Sequence, residues 1–164
     1  MRRPQFILLL LLLLAGFQVW HYQPLLPERV ASHFNAQGVA DGFAPKAELA
    51  KVEMGVFAIM ALVFLLLPKL TRLFPVSMIN LPNKDYWFAD ERREETLNVL
   101  EDWMGWFGVL TMVLLLGMMQ LALRANLSPK PHFDSAMATA LLVVYAAGAL
   151  FMTGKILWRF RRPA

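Results

Sequence analysis

The 164 residues are 58% hydrophobic and 17% charged, with a mean hydropathy of +0.48 and a formal net charge of +4. Soluble domains hold roughly 45–50% apolar and about 25% charged residues, so this excess demands a hydrophobic solvent and excludes an ordinary cytosolic enzyme. No cysteine occurs, which excludes disulfides, thiolate chemistry and cysteine-ligated iron–sulfur clusters. The charges cluster beside apolar runs, so the positive balance points to lipid headgroups and not to nucleic acid.

Four apolar segments follow in chain order. The first, Phe6 to Trp20, contains seven consecutive leucines from Leu8 to Leu14. The second runs from Met54 to Leu67, the third from Trp103 to Leu123 and the fourth from Ala136 to Trp158. A helix crossing the hydrocarbon core needs about 20 residues. The last two segments meet that length; the first two must recruit flanking residues, Gln18 to Tyr22 and Lys51 to Glu53. The fold class expected is an all-α membrane protein of four transmembrane helices. A secretory signal competes as an account of segment one, since Arg2 and Arg3 precede its leucines. No pair of small residues at cleavage spacing occurs around Ala15-Gly16-Phe17-Gln18, and Trp20 and Tyr22 follow as an interfacial anchor, so an uncleaved span is expected.

Lys and Arg counts set the orientation. With the amino terminus cytoplasmic, eleven lie inside: Arg2 and Arg3; Lys69, Arg72, Lys84, Arg92 and Arg93; and Lys155, Arg159, Arg161 and Arg162. Five lie outside: Arg29, Lys46, Lys51, Arg124 and Lys130. That bias places both termini in the cytoplasm. All five tryptophans (Trp20, Trp87, Trp103, Trp106, Trp158) sit at segment boundaries, as an aromatic belt requires. The chain then divides into a first helical hairpin with its outer loop (1–70), a cytoplasmic loop and charged helix (71–102) and a second helical hairpin (103–164).

The outer loop from His21 to Ala50 is long for a connector. Pro24 and Pro27 stiffen its start. Glu28 to Ala36 is expected to form a short helix closed by Gly38 in a left-handed turn. Asp41-Gly42 reads as a second turn, and Pro45 as the start of the second spanning helix. The inner loop turns at Asn80 to Asp85, and a charged helix from about Asp90 to Asp102 runs into segment three. That mixed charge is usually a solvated face; the functional alternative is a docking surface for a cytoplasmic regulator, with Tyr86-Trp87-Phe88 in the headgroup layer.

Segments one to three carry no ionisable residue at their centres, where a transporter or pump normally places one. Thr111, Gln120, Thr139, Tyr145 and Thr153 are the polar groups of the last two spans, expected to bond between helices or to the preceding turn. Gly105, Gly108 and the run Ala146-Ala147-Gly148-Ala149 suit close helix packing, more within one bundle than between copies. No metalloprotease motif, nucleophile elbow or phosphate-cradling glycine loop occurs. No enzyme activity and no cofactor are therefore expected.

The outer loop reads Leu26-Pro27-Glu28-Arg29-Val30-Ala31-Ser32-His33-Phe34-Asn35-Ala36-Gln37-Gly38-Val39-Ala40-Asp41-Gly42, with Lys46 beyond. This resembles the signature of the bacterial membrane family called domain of unknown function 1648, which also occurs in SdpI-type toxin-immunity and signalling proteins. The family pattern is Leu-Pro after the first span, then His-aromatic-Asn, a Gly, an Asp and a Lys. The resemblance covers roughly residues 5 to 70, and the inner Pro82-Asn83-Lys84-Asp85-Tyr86-Trp87 is similar to a segment of relatives of this size. Ala31 departs from the proline many members have there, which loosens the local backbone. The resemblance implies a multi-span inner-membrane protein without a settled activity.

The candidate ligand-binding residues are accordingly His33, Phe34, Asn35, Asp41 and Lys46, expected as a polar cluster at the outer face. A structural role is one account: Asn35 and Asp41 satisfy turn amides, and His33 packs beside Phe34. Recognition is the other, with His33 and Asp41 as a titratable pair, Lys46 as a cation and Phe34 as an apolar wall; a histidine there makes the site responsive to external pH. One certain His, one Asp and His21 make an incomplete ligand set for zinc, so no metal is expected. Two functions compete on this basis. One is a non-enzymatic sensor, binding or immunity-like protein that takes an outer-face ligand or peptide; the other is a small-molecule transporter or membrane enzyme with the loop as gate or lid.

Overall fold

The computed structural model describes residues 2–161. Arg162, counted above among the inner cations, and Ala164 lie outside the described residues. Four helices are long and apolar enough to cross a membrane, and the chain is a multi-span membrane protein. Helix α1 is Arg3–Tyr22. At 1.5 Å per residue its 20 residues reach about 30 Å, the thickness of a hydrocarbon core. Pro4 suits its first turn, and Pro24 lies in the turn that follows Tyr22 and ends the helix. Helix α2 is Lys46–Leu70, preceded by Pro45 as expected. It carries Pro68 two residues from its end, which removes the amide that would otherwise donate to the Phe64 carbonyl.

Single-turn 3-10 segments at Thr71–Leu73 and Val76–Met78 and the one-turn helix α3, Lys84–Trp87, lead to α4. Helix α4, Asp90–Ala125, has 36 residues and therefore spans about 54 Å. That exceeds the membrane, so its first three turns stand outside it as the charged helix expected from sequence. Helix α5 is Ser135–Arg161. Among these, α4 is the hub: α1, α2 and α5 all pack on it, and α1 also packs on α2.

Leu8 and Ala15 of α1, Phe57 and Ala61 of α2, and Met112, Leu116 and Met119 of α4 form one buried cluster. Helix α1 is thus a component of the bundle core. The glycines set the approach of these helices. A Cβ at Gly105 would come 2.8 Å from Pro4 Cγ, and one at Gly148 3.2 Å from Leu110 Cδ2. At Gly108 it would collide with the Phe64 ring. These small residues therefore serve contacts inside one chain. Gly108→Leu is expected to cost about 1–3 kcal/mol by overpacking, read as a lower midpoint of thermal unfolding in detergent.

The loop between α1 and α2 differs from the sequence expectation. Residues Arg29–Phe34 form strand β1, not a short helix, and pair antiparallel with β2, Ala40–Pro45. The helix fails because Val30 and Ala31 bury their side chains against the bundle through an extended backbone that β2 completes. Asp41-Gly42 is accordingly within a strand and not a turn: Gly42 lies opposite His33. A Cβ on it would approach His33 Cβ to 2.9 Å, so glycine is there for close approach. The reversal falls instead at Gly38, whose φ of 78° is left-handed as foreseen, although it closes a hairpin and not a helix.

At the opposite end, the segment between α2 and α4 caps α5. Asn83 takes the left-handed conformation (φ 53°), and its amide donates to the carbonyls of Phe160 (3.2 Å) and Arg161 (2.8 Å). Trp87 Nε1 donates to the same Phe160 carbonyl at 2.9 Å. Helix ends leave such carbonyls unsatisfied, so the Asn83–Trp87 segment ties the last helix to the start of α4.

Candidate functional site

The hairpin is a small cap over one end of the bundle, and its base joins the core. Leu26 and Val30 are buried with Leu123 of α4. The base is closed by the Lys46 amide donating to the Glu28 carbonyl at 3.0 Å. Lys46 Nζ reaches back to the Leu26 carbonyl at 3.2 Å and to the Glu28 carboxylate at 3.1 Å. Asn35 works at the tip: its Oδ1 accepts from the amides of Gln37 and Val39, both at 3.0 Å. This is the self-bonding turn that asparagine favours.

The cap is locked down by a residue the sequence did not mark. Asn126 follows the last residue of α4 and is 1% exposed. Its Oδ1 accepts from the Ala31 amide at 2.6 Å, and its Nδ2 donates to the Ala31 carbonyl at 3.0 Å and to the Ala122 carbonyl at 3.0 Å. One side chain thus serves as an extra strand residue for β1 and as a cap for α4. The loop between α4 and α5, residues 126–134, completes the dock. The Phe133 amide donates to the Gly38 carbonyl at 2.8 Å, Val39 bridges to His132, and the Phe34 and Phe133 rings lie 5.2 Å apart. An asparagine just past a helix end was the only hint in the sequence, and it does not say which strand will dock there.

The five predicted residues therefore divide. Lys46 sits at the base of the hairpin, Asn35 in its turn and Phe34 against Phe133. His33 and Asp41 come together: His33 Nδ1 and Asp41 Oδ1 are 2.5 Å apart. Both side chains are open, 73% and 45% exposed. Exposed pairs contribute about 0–1 kcal/mol, so this one adds little to holding the hairpin shut. A carboxylate on Nδ1 fixes the imidazole orientation and presents Nε2 outward. Among the described residues no third metal-capable side chain joins them.

The hairpin, its histidine–aspartate pair and the helices it connects form the region on which family comparison bears. Residues 7–50 match the family described as Domain of unknown function (DUF1648). The match takes in α1 from residue 7 onward, both strands and the first turn of α2, and so contains all five candidate residues. It stops well before Asn126, which holds the segment in place from outside it. No curated protein and no solved structure matches the chain.

Other polar groups of the spans tie helices together or bond back within their own helix. Gln18 Nε2 donates to Gln120 Oε1 at 2.6 Å, and Gln120 Nε2 donates to the Tyr22 hydroxyl at 2.5 Å. Thr111 bonds back to the Phe107 carbonyl at 3.0 Å and lies 3.3 Å from the Tyr145 hydroxyl, and Thr139 bonds back to Ser135 at 2.8 Å. Away from the cap, Glu101 of α4 is 8% exposed. It meets Arg2 and Arg72 at 3.5 Å each and accepts from Gln5 at 3.2 Å. Arg2 and Arg72 also share Asn98 Oδ1, at 2.5 and 2.6 Å. Part of the charge of the α4 extension is thus consumed within the fold.

Proposed function

We propose that the chain is a non-enzymatic protein of the bacterial inner membrane whose hairpin cap faces outward and binds a ligand or peptide, in a sensing or immunity-like role. The observation that carries this is the His33–Asp41 pair. It is exposed, contributes little to stability, and is nevertheless held in fixed geometry on a hairpin bonded to α4 through Asn126. Because α4 continues from the cap through the membrane into the charged helix, a ligand on the hairpin has a continuous rigid element beneath it. A cytoplasmic regulator meeting the exposed part of that helix is the partner such a route would serve. Lack of ionisable groups at the centres of the spans disfavours the transporter alternative.

The test is quantitative capture of the tagged full-length protein from native membranes, comparing parent, His33→Ala and Asp41→Ala. Partner recovery is expected to fall at least about fivefold in both variants, with membrane abundance and unfolding midpoint changed little, since the pair is exposed. Unchanged recovery, or a loss that merely tracks abundance, would defeat the proposal. Substrate-dependent flux in reconstituted vesicles would favour the transporter instead.

Orientation has its own measurement. Reporter fusions after Ala40, Asn83 and Pro129 are expected to read outside, inside and outside, following the charge bias. A cytoplasmic signal at Ala40 would invert the arrangement and place the hairpin inside.

A further inference from the structure

A recess between α4 and α5 opens at the membrane face opposite the hairpin. It has a volume of about 510 Å³, within the range of roughly 300–1,000 Å³ typical of small-molecule sites. Gly148 meets Leu110 and Gly117 meets Leu141, so the two helices run antiparallel in a register that sets Lys155 level with Trp103. Asp102 and Lys155 therefore stand at one height, where α4 leaves its apolar span. Trp106 and Phe151 line the recess next, and Val109, Leu110 and Val113 form its deeper wall. From Asp102 to Val113 the helix rises about 16 Å, close to half of a hydrocarbon core about 30 Å thick. The recess thus reaches from the headgroup layer to the middle of the bilayer.

The order of the two charges along the membrane normal decides what fits. Side chains on a helix lean toward its N-terminus. In α4 that direction leads out of the membrane, and in α5 it leads in. Asp102 accordingly projects outward, whereas Lys155 projects toward the bilayer middle. The Lys155 Nζ lies 5.6 Å from the centroid of the Phe151 ring, one turn deeper in α5. A lysine at a membrane boundary ordinarily snorkels to water; this one is turned the other way. Neither Asp102 nor Lys155 has an ion-pair partner among the described residues, and they do not pair with each other. From the bilayer middle outward, the recess therefore presents an apolar wall, then a cation, then an anion.

A phospholipid whose headgroup ends in a primary ammonium has the complementary order: acyl chain, phosphate anion, then cation. We infer that the recess binds phosphatidylethanolamine from the leaflet opposite the hairpin. One acyl chain lies along Val109, Leu110 and Val113, the phosphate meets Lys155, and the ammonium beyond it meets Asp102. Both polar contacts are charge-assisted hydrogen bonds, with the lysine donating to the phosphate and the lipid ammonium donating to the carboxylate. Phosphatidylglycerol offers Lys155 the same phosphate but brings no cation to Asp102, whose charge then faces an anionic lipid. Phosphatidylcholine has the right order of charges, but its methylated nitrogen has no N–H to donate.

Native mass spectrometry of the full-length protein in detergent tests this, with phosphatidylethanolamine, phosphatidylglycerol and phosphatidylcholine of identical acyl chains titrated separately. Phosphatidylethanolamine is expected to bind about tenfold more tightly than phosphatidylglycerol, the contribution of one hydrogen bond between charged groups, and more tightly than phosphatidylcholine. Asp102→Asn should bring phosphatidylethanolamine and phosphatidylglycerol to near equality, since an amide neither attracts the ammonium nor repels the anionic lipid. Lys155→Gln should instead weaken both by a similar factor, about tenfold, and leave their ratio in place. That ratio, taken within one variant, does not depend on how much of the variant folds. Lys130→Gln, which removes an exposed cation of the loop between α4 and α5 at the other end of the helices, should change neither. Equal binding of phosphatidylethanolamine and phosphatidylglycerol by the parent, or a preference that survives Asp102→Asn, would overturn the proposal. Soluble phosphoethanolamine binding as tightly as the whole lipid would overturn the lipid assignment. A dimer that forms in place of lipid binding would overturn it too and give the recess to a second copy.

Discussion

Asn126→Ala is expected to cause the largest loss of stability of any single alanine substitution at a polar residue of the chain, about 2–5 kcal/mol. The change strands the amide and the carbonyl of Ala31, which is itself 1% exposed, and removes the bond to the Ala122 carbonyl. Each buried group left unpaired costs about 1–3 kcal/mol. Two such groups set the lower part of the range, and the loosened packing of Val30 and Leu26 adds to it. Asn126→Asp should cost at least as much, since it buries a carboxylate whose second oxygen faces the Ala31 and Ala122 carbonyls, to which it cannot donate. Thermal unfolding measures the total, and hydrogen exchange locates it: the Ala31 amide should lose protection before the helices do. Protection at Ala31 equal to the parent's would show that the strands hold the cap without α4.

The second large effect is expected at Glu101, on the opposite side of the membrane. Removing one partner from a buried ion pair costs about 3–5 kcal/mol when the other charge is left stranded. Here Arg2 and Arg72 are each about one-third exposed and can turn toward water, so Glu101→Leu is placed lower, at roughly 1–3 kcal/mol. The loss should appear as loosening of the amino-terminal end of α1 on α4, where Glu101 accepts from Gln5 and pairs with Arg2, while the Arg2–Asn98 bonds keep the two helices in contact. Glu95→Gln provides the comparison. Glu95 pairs with Arg159 at 3.4 Å but is 75% exposed, and its removal should cost no more than about 0.5 kcal/mol. Equal effects at the two positions would mean that burial of Glu101 has no energetic consequence.

These expectations separate holding residues from presenting ones. Asn126, Lys46 and Asn35 spend their polar atoms on backbone groups of the cap and its base, so changing them alters the fold before it alters any ligand. His33 and Asp41 spend theirs on one another in the open, so changing them leaves the fold nearly as it was. Phe34 falls with the first group, since its ring contact with Phe133 joins β1 to the loop between α4 and α5.

The four spans, their order, the length of the α4 extension and the membrane environment were determined by sequence alone. The reason is that a bilayer is a uniform apolar solvent: runs of about twenty apolar residues are forced into helices whatever their neighbours are. The family signature in residues 26–46 was legible in the same way, as residue types at fixed spacing. Tertiary structure decided whatever depends on a partner far along the chain. Glu28 to Ala36 has a local pattern compatible with a helix, but Val30 and Ala31 gain burial only as a strand, and the groups completing that strand are β2 and Asn126, 95 residues away from Ala31. The pairing of His33 with Asp41 follows from that hairpin register, as does the distance of Lys46 from both. The Gln18–Gln120 bond exists only because α1 packs on α4 with Gln120 opposite, 102 residues on. No local periodicity encodes either contact, because each depends on which faces of the helices meet once they are already inside the membrane.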